Sequence, residues 1–176
     1  MTSAQGGVDA LAQNRPLGRG VNIIGYDPLW RCRSEARVQD SRFRLIKDAG
    51  FSSVRINLHP FKSVGPAPDH AISPNWMETF DWAVGQALAN DLMVILDVHE
   101  YNTMGDDPMG NKGGFLATWR QLAPHCRDLP DSVPFEIRNE PCRELTPELW
   151  DRFLREAYAI VRETNPESTL VIGPAG

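Results

Sequence analysis

The stretch MVILDVH, residues 93–99, has the length and the β-branched content of a buried strand. Side chains alternate along a strand, so Val94, Leu96 and Val98 share one face while Asp97 and His99 share the other. The same division recurs on either side of it. In SVRINL (53–58), Val54 and Ile56 oppose Arg55 and Asn57. In PFEIRNEP (134–141), Phe135 and Ile137 oppose Glu136, Arg138 and Glu140. Three successive strands thus carry one apolar and one polar face, and the polar groups gather late in each.

Further out, VNIIG (21–25) and TLVIG (169–173) complete a set of five short runs whose starts fall 32, 40, 41 and 35 residues apart. Helix patterns fill the intervals. Asp40 to Ala49 reads as a helix stopped by Gly50. Ser73-Pro74 caps a helix that runs to about Ala89. Gly114 to Arg127 is helical in character, with Pro124 predicting a kink or an early stop. Thr146-Pro147-Glu148 opens a further helix, closed by Asn165-Pro166.

Strand and helix alternating five times is the pattern of a parallel α/β sheet, either doubly wound or a barrel. A doubly wound sheet lies under helices on both faces and its strands read apolar throughout. The polar faces here favour the α/β class of the (β/α)8 TIM barrel. There a helix ring covers one face, and the C-terminal ends of the strands carry the chemistry. Five runs correspond to about the first five β/α units, an incomplete barrel. Residues 18–176 form this portion, and the polar, Gly-containing residues 1–17 are expected to be a flexible lead-in.

Composition narrows the function. With 41% hydrophobic and 23% charged residues, the 176-residue chain is long enough to bury a core. Its net charge of −5 gives no electrostatic support to a nucleic-acid partner. No apolar run spans a membrane, and the start MTSAQGGVDALAQNRPLG lacks the basic and apolar regions of a signal peptide. Either the protein stays inside the cell or a leader was removed. Cys32, Cys126 and Cys142 form no CxxC pair, and His59, His70, His99 and His125 are scattered, so neither a metal nor a cofactor is expected. LGRGVNIIG precedes a strand rather than a helix and is no phosphate loop.

Glu140 is the leading candidate for chemistry. Pro141 holds it out of helical conformation at a strand end, where its carboxylate can face a cleft. An N-cap or a surface salt bridge is the plain alternative. Asn139 beside it, with Arg55 and His99 at matching strand ends, weighs towards function. His99 alone reads as a hydrogen-bonded core histidine, and Asn139 alone as a partner of loop backbone. Arg55 inside a strand needs a carboxylate partner, for which Asp97 and Glu136 are available. Trp82, Trp119 and Trp150 lie in helix patterns and are expected to pack. Trp30 and Tyr101 follow strands one and three and are candidates for stacking on a sugar ring.

GRGVNIIG, AGFSSVRINLHPF, LMVILDVHEYNTMG and FEIRNEP occur in the order in which their counterparts occur in family 5 glycoside hydrolases. From Gly18 to Gly176 the chain resembles the N-terminal part of such an enzyme, most closely the bacterial cellulase-like members. The resemblance implies a retaining hydrolase cleaving β-1,4-linked glucan, with mannan and mixed-linkage glucan as alternatives. Such enzymes use one acid/base and one nucleophilic carboxyl about 5–5.5 Å apart. By resemblance Glu140 is the acid/base and Asn139 binds the sugar 2-hydroxyl. Arg55 holds the nucleophile ionised, and His99 lines the same subsite. The family's nucleophile lies on strand seven, so this chain is expected to be a fragment, inactive alone. A non-catalytic carbohydrate-binding remnant is the alternative. Open sheet edges would allow self-association. The resemblance also implies an extracellular or periplasmic location. Related sequences usually carry an apolar residue where Arg138 stands. A cation there opposes protonation of Glu140, unless Arg138 pairs with Glu136.

Overall fold

In the computed structural model, which describes residues 9–174, five parallel strands run in the order β1-β2-β3-β4-β5. They are β1 (Gly20–Ile23), β2 (Ser53–Leu58), β3 (Met93–Val98), β4 (Phe135–Glu136) and β5 (Leu170–Val171). Each strand pairs with the next in sequence, which is how a barrel wall grows. Among the described residues β1 and β5 are the edges. The fold is thus a TIM-barrel wall of five strands with its helices.

The helices are α1 (Ala10–Leu17), α2 (Asp40–Asp48), α3 (Pro74–Ala89), α4 (Tyr101–Asp106), α5 (Pro108–His125) and α6 (Pro147–Thr164). Their ends follow local chemistry. Ser73 caps α3 through the Trp76 N–H and Thr146 caps α6 through the Leu149 N–H, each followed by proline in the first turn. Gly50 takes φ +82 just past α2, as its place in the sequence predicts. Two expectations change. Residues 10–17 are helical, because the Asp9 carboxylate caps the Leu11 and Ala12 N–H groups; the rest of the expected lead-in, residues 1–8, lies outside the described residues. The helix expected from Gly114 begins at Pro108, capped by Asp107 on Gly110, and takes in Gly110, Gly113 and Gly114. Pro124 falls in its last turn, where the early stop was expected.

The apolar faces of β2, β3 and β4 are covered by helices, while those of the edge strands β1 and β5 are half-buried. Val54, Ile56, Val94, Val98 and Ile137 are all at 0% exposure. Trp76 is sandwiched between Trp30 and Phe80, with ring centroids 4.8 and 5.8 Å away. Trp119 and Trp150 are buried as expected, and Trp119 Nε1 donates to the Ile137 carbonyl at 3.2 Å. With one face sealed, the polar residues of the other are left to form the concave side.

Candidate active site

Parallel register places the polar residues side by side. Asn22 pairs with Arg55, Asn57 with Asp97, and Asp97 with Glu136 across β1 to β4. Arg55 is the hub. Its Nε and Nη2 donate to the two Glu136 oxygens at 2.6 and 2.7 Å. Nη2 also reaches Asn139 Oδ1 at 2.8 Å, and Nη1 lies 3.0 Å from Asp97 Oδ2. Burial works against the charge on Arg55, but the Glu136 hydrogen bond and the fields of Asp97, Glu136 and Glu140 outweigh it and raise its pKa. Both carboxylates open to Arg55 from the sequence are therefore its partners.

Asp97 is fully buried and also accepts from Asn57 Nδ2 at 2.8 Å. His99 Nδ1 lies 2.5 Å from the same Asp97 oxygen and 3.0 Å from Asn57 Nδ2. His99 thus joins the cluster through Asp97. Its ring meets His59 edge-on at 5.5 Å, and His59 stacks under the exposed ring of Tyr26 at 5.2 Å. Burial, and next the neighbouring His99, depress the His59 pKa to about 4.

An open cleft of about 740 Å³ lies above the hub, lined in part by Asn22, Arg55, Tyr101, Glu136, Asn139 and Glu140. Of the six site residues predicted from sequence, four line it: Arg55, Tyr101, Asn139 and Glu140. His99 stands one residue behind, through Asp97. Trp30 does not belong. It is 7% exposed, lies flat on Trp76 and donates Nε1 to the Asn57 carbonyl, so it packs in the core away from the cleft. The exposed aromatic ring of that loop is Tyr26 instead. Tyr101 opens α4, and the Cys142 thiol beside its hydroxyl raises its pKa.

The strand end departs from simple alternation. The Ile137 N–H bonds Val171 on β5, whereas the Asn139 N–H bonds Val98 on β3. The amide direction reverses between them, so Asn139 rather than Arg138 joins the face of Glu136. Arg138 turns inward, is 1% exposed, and bonds carbonyls rather than Glu136. The pairing of Arg138 with Glu136 does not form, because the Arg138 guanidinium is turned to the carbonyls of Glu100, Tyr101 and Asn139 while Glu136 faces Arg55. Glu140 is exposed at the cleft rim with φ +37, left-handed rather than extended. Asn22 is the polar cleft residue not singled out from sequence. Asn22 alternates with Val21 and Ile23 as Arg55 does with its neighbours, and that signal would have found it.

Residues 14–176 match the model of the cellulase family, glycosyl hydrolase family 5. Endoglucanase H of Acetivibrio thermocellus is 26% identical over 98% of this chain, which spans 19% of that relative. Endoglucanase B of Clostridium cellulovorans is 30% identical over 71% of this chain and 29% of the relative. Thermotoga maritima Cel5A, solved in complex with cellobiose, superposes with a TM-score of 0.87 at 35% identity, over 95% of this chain and 55% of Cel5A. Its complex with mannotriose superposes equally, with a TM-score of 0.87. The chain thus spans about half of these solved structures and a smaller share of the curated relatives.

Proposed function

Since the chain belongs to the cellulase family of glycosyl hydrolases, family 5, we propose that its cleft binds a β-1,4-linked glucan and that Glu140 is the acid/base of a retaining hydrolysis. The observation that carries this is the convergence of Arg55, Tyr101, Asn139 and Glu140 on one open cleft at the strand ends. A glycan chain needs an open groove rather than an enclosed pocket. Asn139 Oδ1 is held by Arg55, which turns Nδ2 away from Arg55 and towards the cleft as a donor for a sugar hydroxyl. The hydrogen bonds gathered on Arg55 leave out the Glu140 carboxyl group, which in its protonated form is free to donate to the glycosidic oxygen. As carboxylate it then takes a proton from the attacking water.

A retaining reaction needs a second carboxylate. Among the described residues the cleft contains one other, Glu136, and both its oxygens are engaged by Arg55. We therefore assign the nucleophile to polypeptide that completes the barrel, and expect these 176 residues alone to bind sugar without turnover. Thermotoga maritima Cel5A has been solved with both cellobiose and mannotriose, so β-1,4-linked mannan is the second substrate in line. Action on such a polysaccharide implies a location outside the cytoplasm. The test is Glu140→Gln in a barrel completed with the remaining strands of a relative. Loss of most carboxymethylcellulose hydrolysis, with the fold intact, is expected. Full activity in that variant would overturn the assignment.

A further inference from the structure

Arg138 is among the largest fully buried side chains of the protein. No carboxylate lies within ion-pairing distance of it among the described residues. Its guanidinium meets carbonyls instead. Nη1 donates to Asn139 O at 2.8 Å, and Nη2 to Tyr101 O at 3.3 Å and Glu100 O at 3.4 Å. Burial lowers its pKa, against the opposing influence of Cys142, Asp97 and Glu100. An apolar side chain would fill such a place at lower cost than a cation without an ionic partner. Packing alone therefore does not account for an arginine there.

The three carbonyls belong to two strand-end segments, the start of α4 after β3 and the turn after β4. Glu100 and Tyr101 follow β3, and Asn139 follows β4. The Asn139 oxygen is half of the peptide group that joins Asn139 to Glu140. Glu140 sits at φ +37, a region that side-chain-bearing residues rarely hold without support. Rotation about its N–Cα bond, relative to that peptide plane, sets where its Cβ and carboxylate point. Pro141 restricts Glu140 from the other side. The Arg138 bond fixes the plane, and the two bonds to the start of α4 fix Arg138 itself.

We infer that Arg138 is a positioning residue: by clamping the Asn139–Glu140 peptide to the start of α4 after β3, it holds Glu140 in its left-handed conformation and aims the carboxylate into the cleft. The aiming rests on the acid/base reading of Glu140, but the clamp itself does not. A brace that served stability alone would lower the unfolding midpoint of its variants and leave Glu140 where it is.

The experiment compares the chain with its Arg138→Leu variant by amide NMR, by calorimetry with cellotriose and by urea unfolding. The expected result is a displaced Glu140 amide resonance and an altered coupling across its N–Cα bond, with the buried β2 and β3 signals unmoved. Cellotriose affinity falls by about tenfold, the size expected for a lost charge-assisted hydrogen bond. A folded R138L variant with an unmoved Glu140 resonance overturns the inference. If R138L does not fold, Arg138→Lys is read in the same way, since lysine keeps the charge but cannot hold the carbonyls of both segments. A moved Glu140 resonance then supports the clamp, and an unmoved one overturns it. If the unaltered chain binds no cellotriose, the functional reading fails, while the Glu140 resonance still decides the clamp.

Discussion

Arg55 on β2 and Glu136 on β4 reach across the intervening strand and join through two hydrogen bonds of 2.6 and 2.7 Å, with Asp97 of β3 beneath them at 3.0 Å from the same guanidinium. The planar fork of arginine matches a carboxylate in this way, and lysine does not. The pair therefore ties three strands together at the floor of the cleft. Glu136→Ala is expected to cost about 3 kcal/mol in urea unfolding, the lower end for a broken buried ion pair, since Asp97 still faces Arg55. Arg55→Lys is expected to destabilise as well, because one ammonium cannot serve Glu136, Asp97 and Asn139 together. Unchanged midpoints in both variants would show that the pair does not hold the floor.

Asn139 separates two roles in one side chain. Its Oδ1 accepts from Arg55 at 2.8 Å, and its Nδ2 is left for a ligand. Asn139→Asp keeps an acceptor for Arg55 but removes the donor. Cellotriose affinity should fall by about tenfold while the urea midpoint holds. Asn139→Ala should lose both. Retained affinity in the aspartate variant would remove the sugar contact from the account.

Much of this architecture is readable from the residues in order. The period-two faces of 53–58 and 93–99 place Arg55, Asn57 and Asp97 correctly, because both strands are regular for six residues. The same rule misplaces Arg138, because β4 keeps regular pairing for only two residues before its amides change direction. That reversal depends on β3 and β5 and has no local signature. Trp30 is misread for a related reason. A tryptophan just after a strand is as well suited to a platform as to a core, and only its stacking on Trp76, 46 positions on, decides. The α4 turn and the start of α5 escape notice because glycines at 105, 110, 113 and 114 weaken the helix pattern.

Trp30 and Tyr26, on one loop, are expected to behave oppositely. Trp30→Ala should cost about 3–5 kcal/mol, as for a buried aromatic side chain. Tyr26, 77% exposed, should tolerate alanine within about 1 kcal/mol. Thermal or urea unfolding of the two variants side by side makes the comparison. Equal tolerance would return Trp30 to the surface.

His59 gives stability a pH dependence. Its pKa falls from 6.5 to about 4 through burial first and the neighbouring His99 next. The unfolded chain therefore binds the proton more readily, and His59 favours folding above 6.5. That contribution is lost as the pH falls from about 6.5 towards 4. Glu100 acts with the opposite sign, because burial raises its pKa and its contribution is lost as the pH rises. His59 Nε2 has no hydrogen-bond partner among the described residues, and His59→Phe keeps an aromatic ring there while removing the titrating group. Between pH 7 and pH 5 the urea midpoint of H59F should fall less than that of the unaltered chain. An equal fall would place the acid sensitivity elsewhere.

The central claim is that the cleft above Arg55 is a glycan site with Glu140 at its rim. Titrating cellotriose into the chain while recording amide resonances tests this most directly. The account predicts saturable shifts at Asn139, Glu140 and Tyr101, with the far ends of α3 and α6 unmoved. Shifts confined to residues outside the cleft, or none at all, would contradict it.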